Sequence, residues 1–337
     1  MFDGDQKRLV LVTGATGFLG RHLVPALLRQ PQNHVVTFGR SEPDGRQPGA
    51  GHEHIVGAVE NRHDVERAFA LKPQLVFHMA GLVSYRHSDA QRQRQINVEG
   101  TRNVMELALA AGSERVVHTS SIAALGIPAV QGEIADEGLA YNLAGLGLSY
   151  CDTKHEAEMV VLENFRRGLN VVMLNPGIIF GEGDSHGHHH AIFRAMSRGG
   201  LLAVPSGGIP FSDIVDVVDA HLAAIEKGRA GERYSLVSAN LSFMEAARIF
   251  AELYRTESPR FVYPDLLVQS LGTLAETFSE VSRQLGLPLR FSLTRQQAWL
   301  SCKKIFFSNE KARQELGFLP TPFAETIKRT APYYLAR

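Results

Sequence analysis

Residues 10–13, Val-Leu-Val-Thr, run without a break into Gly14-Ala-Thr-Gly17-Phe-Leu-Gly20, and residues 21–28 then take a helical pattern. A buried strand that enters a glycine turn and leaves as a helix constrains the fold more than any other stretch of the chain. Glycines let the backbone approach a pyrophosphate closely, and the helix start offers unpaired N–H groups and partial positive charge to the anion. The spacing is G-x-x-G-x-x-G and not the commoner G-x-G-x-x-G. A lone glycine triplet is also compatible with an ordinary tight βα turn. Its position directly after the first strand of a βαβ pattern favours dinucleotide binding.

That pattern continues. Short β-branched runs at 9–13, 34–38, 54–56, 75–78, 115–119 and 171–175 alternate with helical stretches, of which 90–111 and 149–167 are long and amphipathic. Such alternation predicts an α/β Rossmann fold, a doubly wound parallel sheet covered by helices. After Asn175 the regularity weakens and a Gly/His-rich loop opens a region where helices dominate. Residues 211–234 read as strand, helix and strand, returning the chain to the sheet. We therefore expect residues 1–178 and 211–238 to form the nucleotide-binding domain. Residues 179–210 and 239–337 would form a smaller, discontinuous, mainly helical substrate domain.

Composition narrows the partners. Lys+Arg and Asp+Glu number 35 each in 337 residues, so no broad field favours nucleic acid or an anionic surface, and a small-molecule partner is expected. Cys151 and Cys302 stand far apart without metal or redox spacing, the usage of a reducing, cytoplasmic compartment. No stretch reaches the roughly 18 uninterrupted apolar residues of a membrane span.

The second strand ends at Phe38, followed by Gly39, Arg40 and Ser41, with no carboxylate to receive two ribose hydroxyls. A guanidinium there suits the 2′-phosphate of NADP, where an acidic residue would favour NAD. Arg40 is also a plausible solvated loop residue. Gly57, Ala58 and Val59 follow the third strand, where an adenine ring would pack.

Tyr150-Cys-Asp-Thr-Lys154 places a phenol and an ammonium four residues apart on one face of a helix start. The ammonium is expected to lower the phenol pKa toward physiological pH and let Tyr150 exchange protons. The strand at 115–119 runs into Ser120-Ser121, and a hydroxyl at a strand's carboxyl end lies on the ligand side of such sheets. Ser121 is placed to hold a substrate carbonyl. Taken singly, a Tyr and a Lys four apart are a common surface pair; their order relative to the serines and to Asn175-Pro176-Gly177 is what informs.

With TGATGFLG at 13–20, FHMAG at 77–81, INVEGTRNV at 96–104, VVHTSS at 116–121, YCDTK at 150–154 and LNPGIIFG at 174–181, the chain resembles the extended short-chain dehydrogenase/reductases, the NAD-dependent epimerase/dehydratase family. Within it the likeness is to dihydroflavonol-reductase-like and 3β-hydroxysteroid-dehydrogenase-like members, and it extends from about Leu9 to Phe318. The resemblance implies that Gly14, Thr16, Gly17 and Gly20 cradle the pyrophosphate with Phe18 and Leu19 alongside. It implies that Ala80, Gly81 and Lys154 line the nicotinamide ribose, that Asn175, Pro176 and Gly177 orient the nicotinamide, and that Ser121, Tyr150 and Lys154 form the catalytic triad. Many relatives carry an adenine-contacting aspartate where this chain has Ala58. Members often pair the two long helices across a two-fold axis, so a homodimer through 90–111 and 150–167 is expected.

His186, His188, His189 and His190 crowd one loop, but no carboxylate or cysteine completes a metal site, and a pocket rim is the preferred reading. Ser84, Tyr85 and Phe211 are candidate substrate contacts, although aromatics in such places are as often packing. The expected activity is NADP-dependent reduction of a ketone or aldehyde, or oxidation of the alcohol, with Tyr150 as general acid/base. The alternatives are a nucleotide-sugar epimerase or dehydratase with tightly held NAD and, third, a nucleotide-binding regulator without chemistry.

Overall fold

The computed structural model describes residues 7–42, 52–184, 201–287, 291 and 293–335. Its centre is a seven-stranded sheet. In chain order the strands are β1 (Arg8–Thr13), β2 (Asn33–Gly39), β3 (His52–Val56), β4 (Leu75–His78), β5 (Arg115–Thr119), β6 (Val171–Pro176) and, from late in the chain, Arg233–Leu236. All neighbours pair in parallel, from Arg233–Leu236 at one edge through β6, β5, β4, β1 and β2 to β3. The predicted runs at 75–78 and 115–119 match their strands end to end, and the others are extended by one or two residues.

Alternate residues of each strand point to opposite faces, and both faces are covered, which is why these strands are continuously apolar. Val10, Val12, Val35, Phe77 and Val117 pack with α1 (Phe18–Leu28) and with Val217, Ala220 and Ala224 of the helix Ile214–Glu226. Leu11, Val36, Val76, Val116 and Val171 pack on the other face, against α2 (Arg62–Phe69), the helix Gly100–Ala111 and the helix Ser149–Arg166.

The helix expected over 90–111 is continuous but not uniform. An α-helical start, Ala90–Gln93, passes through a π-helical stretch, Arg94–Glu99, into Gly100–Ala111. A π-helical stretch inside a helix is rare and concentrates at functional sites.

The strand before Ile214–Glu226 departs from expectation. Gly208–Asp213 does not join the main sheet; it lies between Ile178–Phe180 and Ala239–Ser242 in a three-stranded sheet of its own. The return to the main sheet is made by Arg233–Leu236 alone. An aromatic cluster of Phe180, Phe211, Phe250 and Phe323 fills the space between this small sheet and the helices Phe243–Tyr254 and Phe323–Leu335.

Strand order reverses between β1 and β4, since β1 leads to β2 on one side while the chain crosses back to place β4 on the other. A crevice opens at the carboxyl ends of strands at such a point, and ligands of doubly wound sheets bind there.

Candidate active site

The glycine turn fills the floor of this crevice. Gly14 has φ +75°, and a Cβ there would lie 2.7 Å from the Ala80 nitrogen and 2.8 Å from the Met79 carbonyl carbon. Only glycine meets both demands. A Cβ on Gly20 would stand 2.5 Å from the carbonyl oxygens of Gly14 and Ala15, which brings the helix down onto the turn. Gly17 caps α1 without any side-chain hydrogen bond to the first N–H groups. The Leu19 side chain is buried in the core, so only its backbone faces the cradle. Phe18 lies edge-on to His22, their ring centroids 5.6 Å apart. Thr16 sits in the turn, its carbonyl accepting from Arg21 Nε at 3.1 Å. The cradle thus fits a pyrophosphate by its open backbone and by its lack of competing caps.

At the adenosine end, Arg40 is exposed one residue beyond β2. The Ala58 N–H donates to Asp64 Oδ2 at 3.1 Å, so a carboxylate from the start of α2 reaches this corner although position 58 has none. Val59 is buried, its carbonyl accepts from Asn103 Nδ2 at 3.0 Å, and a Cβ on Gly100 would lie 2.8 Å from Val59 Cγ2.

Tyr150 and Lys154 lie in the first two turns of Ser149–Arg166, both nearly buried. Ser121, two residues beyond β5, lies close enough to the Tyr150 phenol to draw its pKa down, and its oxygen accepts from the Ala123 N–H at 3.2 Å. Lys154 Nζ donates to the Thr119 carbonyl at 3.0 Å and would stand 3.7 Å from a Cβ on Gly81. Glycine at 81 therefore keeps the space before the ammonium open. Ser121 faces the Tyr150 phenol, and Lys154 follows Tyr150 one turn on along the same helix.

Their electrostatics differ from expectation. Burial pushes the Tyr150 phenol up to about 12 against the opposing pull of Ser121, where a lowered value was expected. Burial also brings Lys154 down to about 8, with the charge of Glu158 resisting. Burial is the largest cause of both shifts, and neither group is a cause of the other's, so the attraction that spacing implied does not set them. Tyr150 is thus held protonated, the form of a proton donor.

Glu158, one turn beyond Lys154 on the same helix face, is fully buried. It accepts from Ser120 Oγ at 2.5 Å and Asn175 Nδ2 at 2.6 Å, and pairs with Arg233 Nε at 2.8 Å. Asn175 also donates to the Ser121 carbonyl at 3.0 Å. The Asn175 Nδ2 is therefore spent on fixing Ser121 and Glu158, while its Oδ1 is buried without a hydrogen-bond partner. Gly177 is required because a Cβ would lie 2.4 Å from the Pro210 carbonyl oxygen. A second brace is Asn97, in the π-helical stretch. It bonds both backbone groups of Leu82, at 2.7 and 3.1 Å, and Thr153 at 3.2 Å, tying the loop after β4 to the catalytic helix.

Of the substrate candidates, only Tyr85 faces the catalytic group: its ring meets Tyr150 edge-on at 5.5 Å between centroids. Ser84 instead donates to Asp89 at 2.6 Å and accepts from the Arg86 N–H at 3.2 Å, closing a local turn. Phe211 is a correction. It is buried 4.6 Å from the Phe323 ring centroid and packs the small sheet's core. Gln93, fully buried, joins the Ser84 carbonyl at 2.8 Å to Ser149 at 2.9 Å. His186, His188, His189 and His190 lie outside the described residues. Among the described residues no group of three potential metal ligands converges.

Comparison with known proteins agrees with this geometry. The family model for the NAD dependent epimerase/dehydratase family matches residues 10–237. The chain is 32% identical over 314 residues to sterol demethylase protein B of Methylococcus capsulatus, covering 92% of this chain and 93% of that protein. It is 29% identical over 314 residues to a putative dihydroflavonol 4-reductase of Synechocystis, covering 91% and 88%. The crystal structure of gox2253 superimposes with a TM-score of 0.80 at 27% identity, covering 98% of each chain. With the glycine cradle at the switch point and Ser121, Tyr150 and Lys154 beside it, the chain belongs to the NAD-dependent epimerase/dehydratase family, the extended short-chain dehydrogenase/reductases.

Proposed function

We propose that the protein is an NADP-dependent oxidoreductase that reduces a ketone or aldehyde, or oxidises the corresponding alcohol. Ser121 beside the Tyr150 phenol, with Lys154 one turn on along the same helix and facing the open flank of Gly81, carries this reading. Ser121 hydrogen-bonds the carbonyl oxygen, and Tyr150, protonated at neutral pH, donates to that oxygen as it gains charge. Lys154 holds the nicotinamide ribose and supplies positive charge beside the phenol. The bound nicotinamide supplies or accepts the hydride. Gly14, Thr16, Gly17, Gly20 and the Leu19 N–H hold the pyrophosphate. Arg40 recognises the 2′-phosphate, which supports NADP over NAD.

Tyr85, edge-on to Tyr150, walls the substrate side, and the names of the relatives favour a polycyclic apolar carbonyl. The division of labour follows the sequence reading, with 1–178 and 211–238 carrying the cofactor and 179–210 and 239–337 capping the substrate. We further propose a homodimer through the helices at 90–111 and 150–167. The two cysteines are free and buried, which supports a cytoplasmic location, and no helix among the described residues is long and apolar enough to cross a membrane.

The test is to follow nicotinamide absorbance with NADPH and NADH over aromatic, alicyclic and lipid-like carbonyls. Stoichiometric loss of NADPH with one class, and weaker use of NADH, supports the proposal. Interconversion of nucleotide sugars without net nicotinamide oxidation would replace it with the epimerase reading.

A further inference from the structure

The helix Asp265–Gln284 carries two apolar stripes, and among the described residues only one has a partner. Val268 and Gly272 press onto the helix Arg295–Ser301, where a Cβ on Gly272 would lie 2.4 Å from the Ala298 Cβ. Glu276 fixes the same side, accepting from the Arg295 N–H at 2.9 Å and the His87 N–H at 3.3 Å. The second stripe is Leu267, Leu271, Leu274, Phe278, Val281 and Leu285, whose exposures run from 45% to 69%. At about 100° per residue these six fall within an arc of roughly 80°, rotated about 100° from the buried stripe. Such an ordered exposed apolar row is not scattered surface hydrophobicity.

The spacing of the stripe is four, three, four, three, four, the alternation of a coiled-coil seam. It reads the same in both directions. An antiparallel copy of the same helix therefore sets Leu267 against Leu285, Leu271 against Val281 and Leu274 against Phe278 about one two-fold axis. Six side chains about half exposed present on the order of 600 Å² per copy. Two copies would bury about 1,200 Å², the lower bound of specific interfaces. The open flank of the stripe is Ser270, Thr277 and Gln284, so no like charges oppose self-pairing. The helix's charged residues are Asp265, Glu276, Glu280 and Arg283, a net acidic set unlike the Lys/Arg-rich polar face of helices that lie on anionic membranes.

We propose that this stripe is a self-association face on which the same helix of a second copy packs antiparallel, separate from the helices at 90–111 and 150–167. The test is the mass of the full chain by light scattering across micromolar concentrations, compared with Leu274→Glu/Phe278→Glu. The expected result is a halved mass for the variant with unchanged thermal midpoint and NADPH affinity. Register is read with Leu267→Cys/Leu285→Cys, since both native cysteines are buried. Oxidation should cross-link copies of the double variant, whereas Leu267→Cys alone should not. Equal mass for wild type and Leu274→Glu/Phe278→Glu overturns the proposal. So does a wild-type monomer that floats with phosphatidylcholine vesicles, which would make the face a lipid surface, or one whose stripe is protected from hydrogen exchange, which would assign it to the chain's own segments.

Discussion

Glu158→Ala removes a charge that no water can replace. Glu158 is fully buried and holds Ser120, Asn175 and Arg233, whose side chain is 19% exposed. Removing one partner of a buried charge pair costs about 3–5 kcal/mol, and partial hydration of Arg233 points to the lower value, about 3 kcal/mol. Unfolding entropy of about 2.1 cal/mol/K per residue over 337 residues is roughly 0.7 kcal/mol/K, so the melting midpoint should fall by about 4 °C. The double change Glu158→Met/Arg233→Met should recover part of this, because two apolar groups replace the pair; Ser120 and Asn175 stay unpaired, so recovery is incomplete. Scanning calorimetry on wild type and both variants reads these shifts. A loss under 1 °C for Glu158→Ala, or a double variant worse than the single, would refute the reasoning that this charge is held by its pairing.

Gly14→Ala should abolish nucleotide binding, because a methyl would enter the Ala80 backbone at a positive φ; a fluorescence titration with NADPH at wild-type affinity would contradict this. Lys154, lowered to about 8, loses its charge as pH rises through that value, so kcat/KM for reduction should be flat near pH 6–7 and fall above pH 8; a profile flat to pH 9.5 would contradict the role given to the ammonium. His118, stacked on His78 at 5.2 Å, is buried with neither ring nitrogen bonded, and its pKa lies well below 6.5. A depressed histidine pKa means that stability present above about pH 6.5 is lost as pH falls, by about 2 kcal/mol at pH 5 for one such group. His118→Leu should therefore gain stability over wild type at pH 5 more than at pH 7, measured by denaturant midpoints; equal differences at both pH values would contradict it.

The strands and the cradle were legible because each has a local signature. The runs at 75–78 and 115–119 are bounded by turn residues, and the glycines at 14, 17 and 20 sit where backbone meets backbone. The catalytic helix was equally visible, since Tyr150 and Lys154 share a face by spacing alone. Phe211 was misplaced because a strand aromatic reads alike whether it lines a pocket or packs a second sheet, and the small sheet depends on pairing across the chain. The Tyr150 pKa departs from expectation because burial, invisible in spacing, raises it, and Lys154 is not among the groups that shift it. Glu158 and Asn97 escaped notice although signals existed: a carboxylate continuing the Tyr150–Lys154 face, and an asparagine inside the INVEGT motif. Their partners Arg233 and Leu82 are remote in sequence, and no local pattern announces them.

The central claim is that Tyr150 delivers the proton in a nicotinamide-dependent reduction. Tyr150→Phe removes one hydroxyl and keeps the ring against Tyr85. The measurement is kcat with NADPH and the preferred carbonyl, beside NADPH affinity in the same variant. The account predicts a fall in kcat of about 10²–10⁴-fold with affinity within about threefold of wild type. Turnover near the wild-type rate would contradict it.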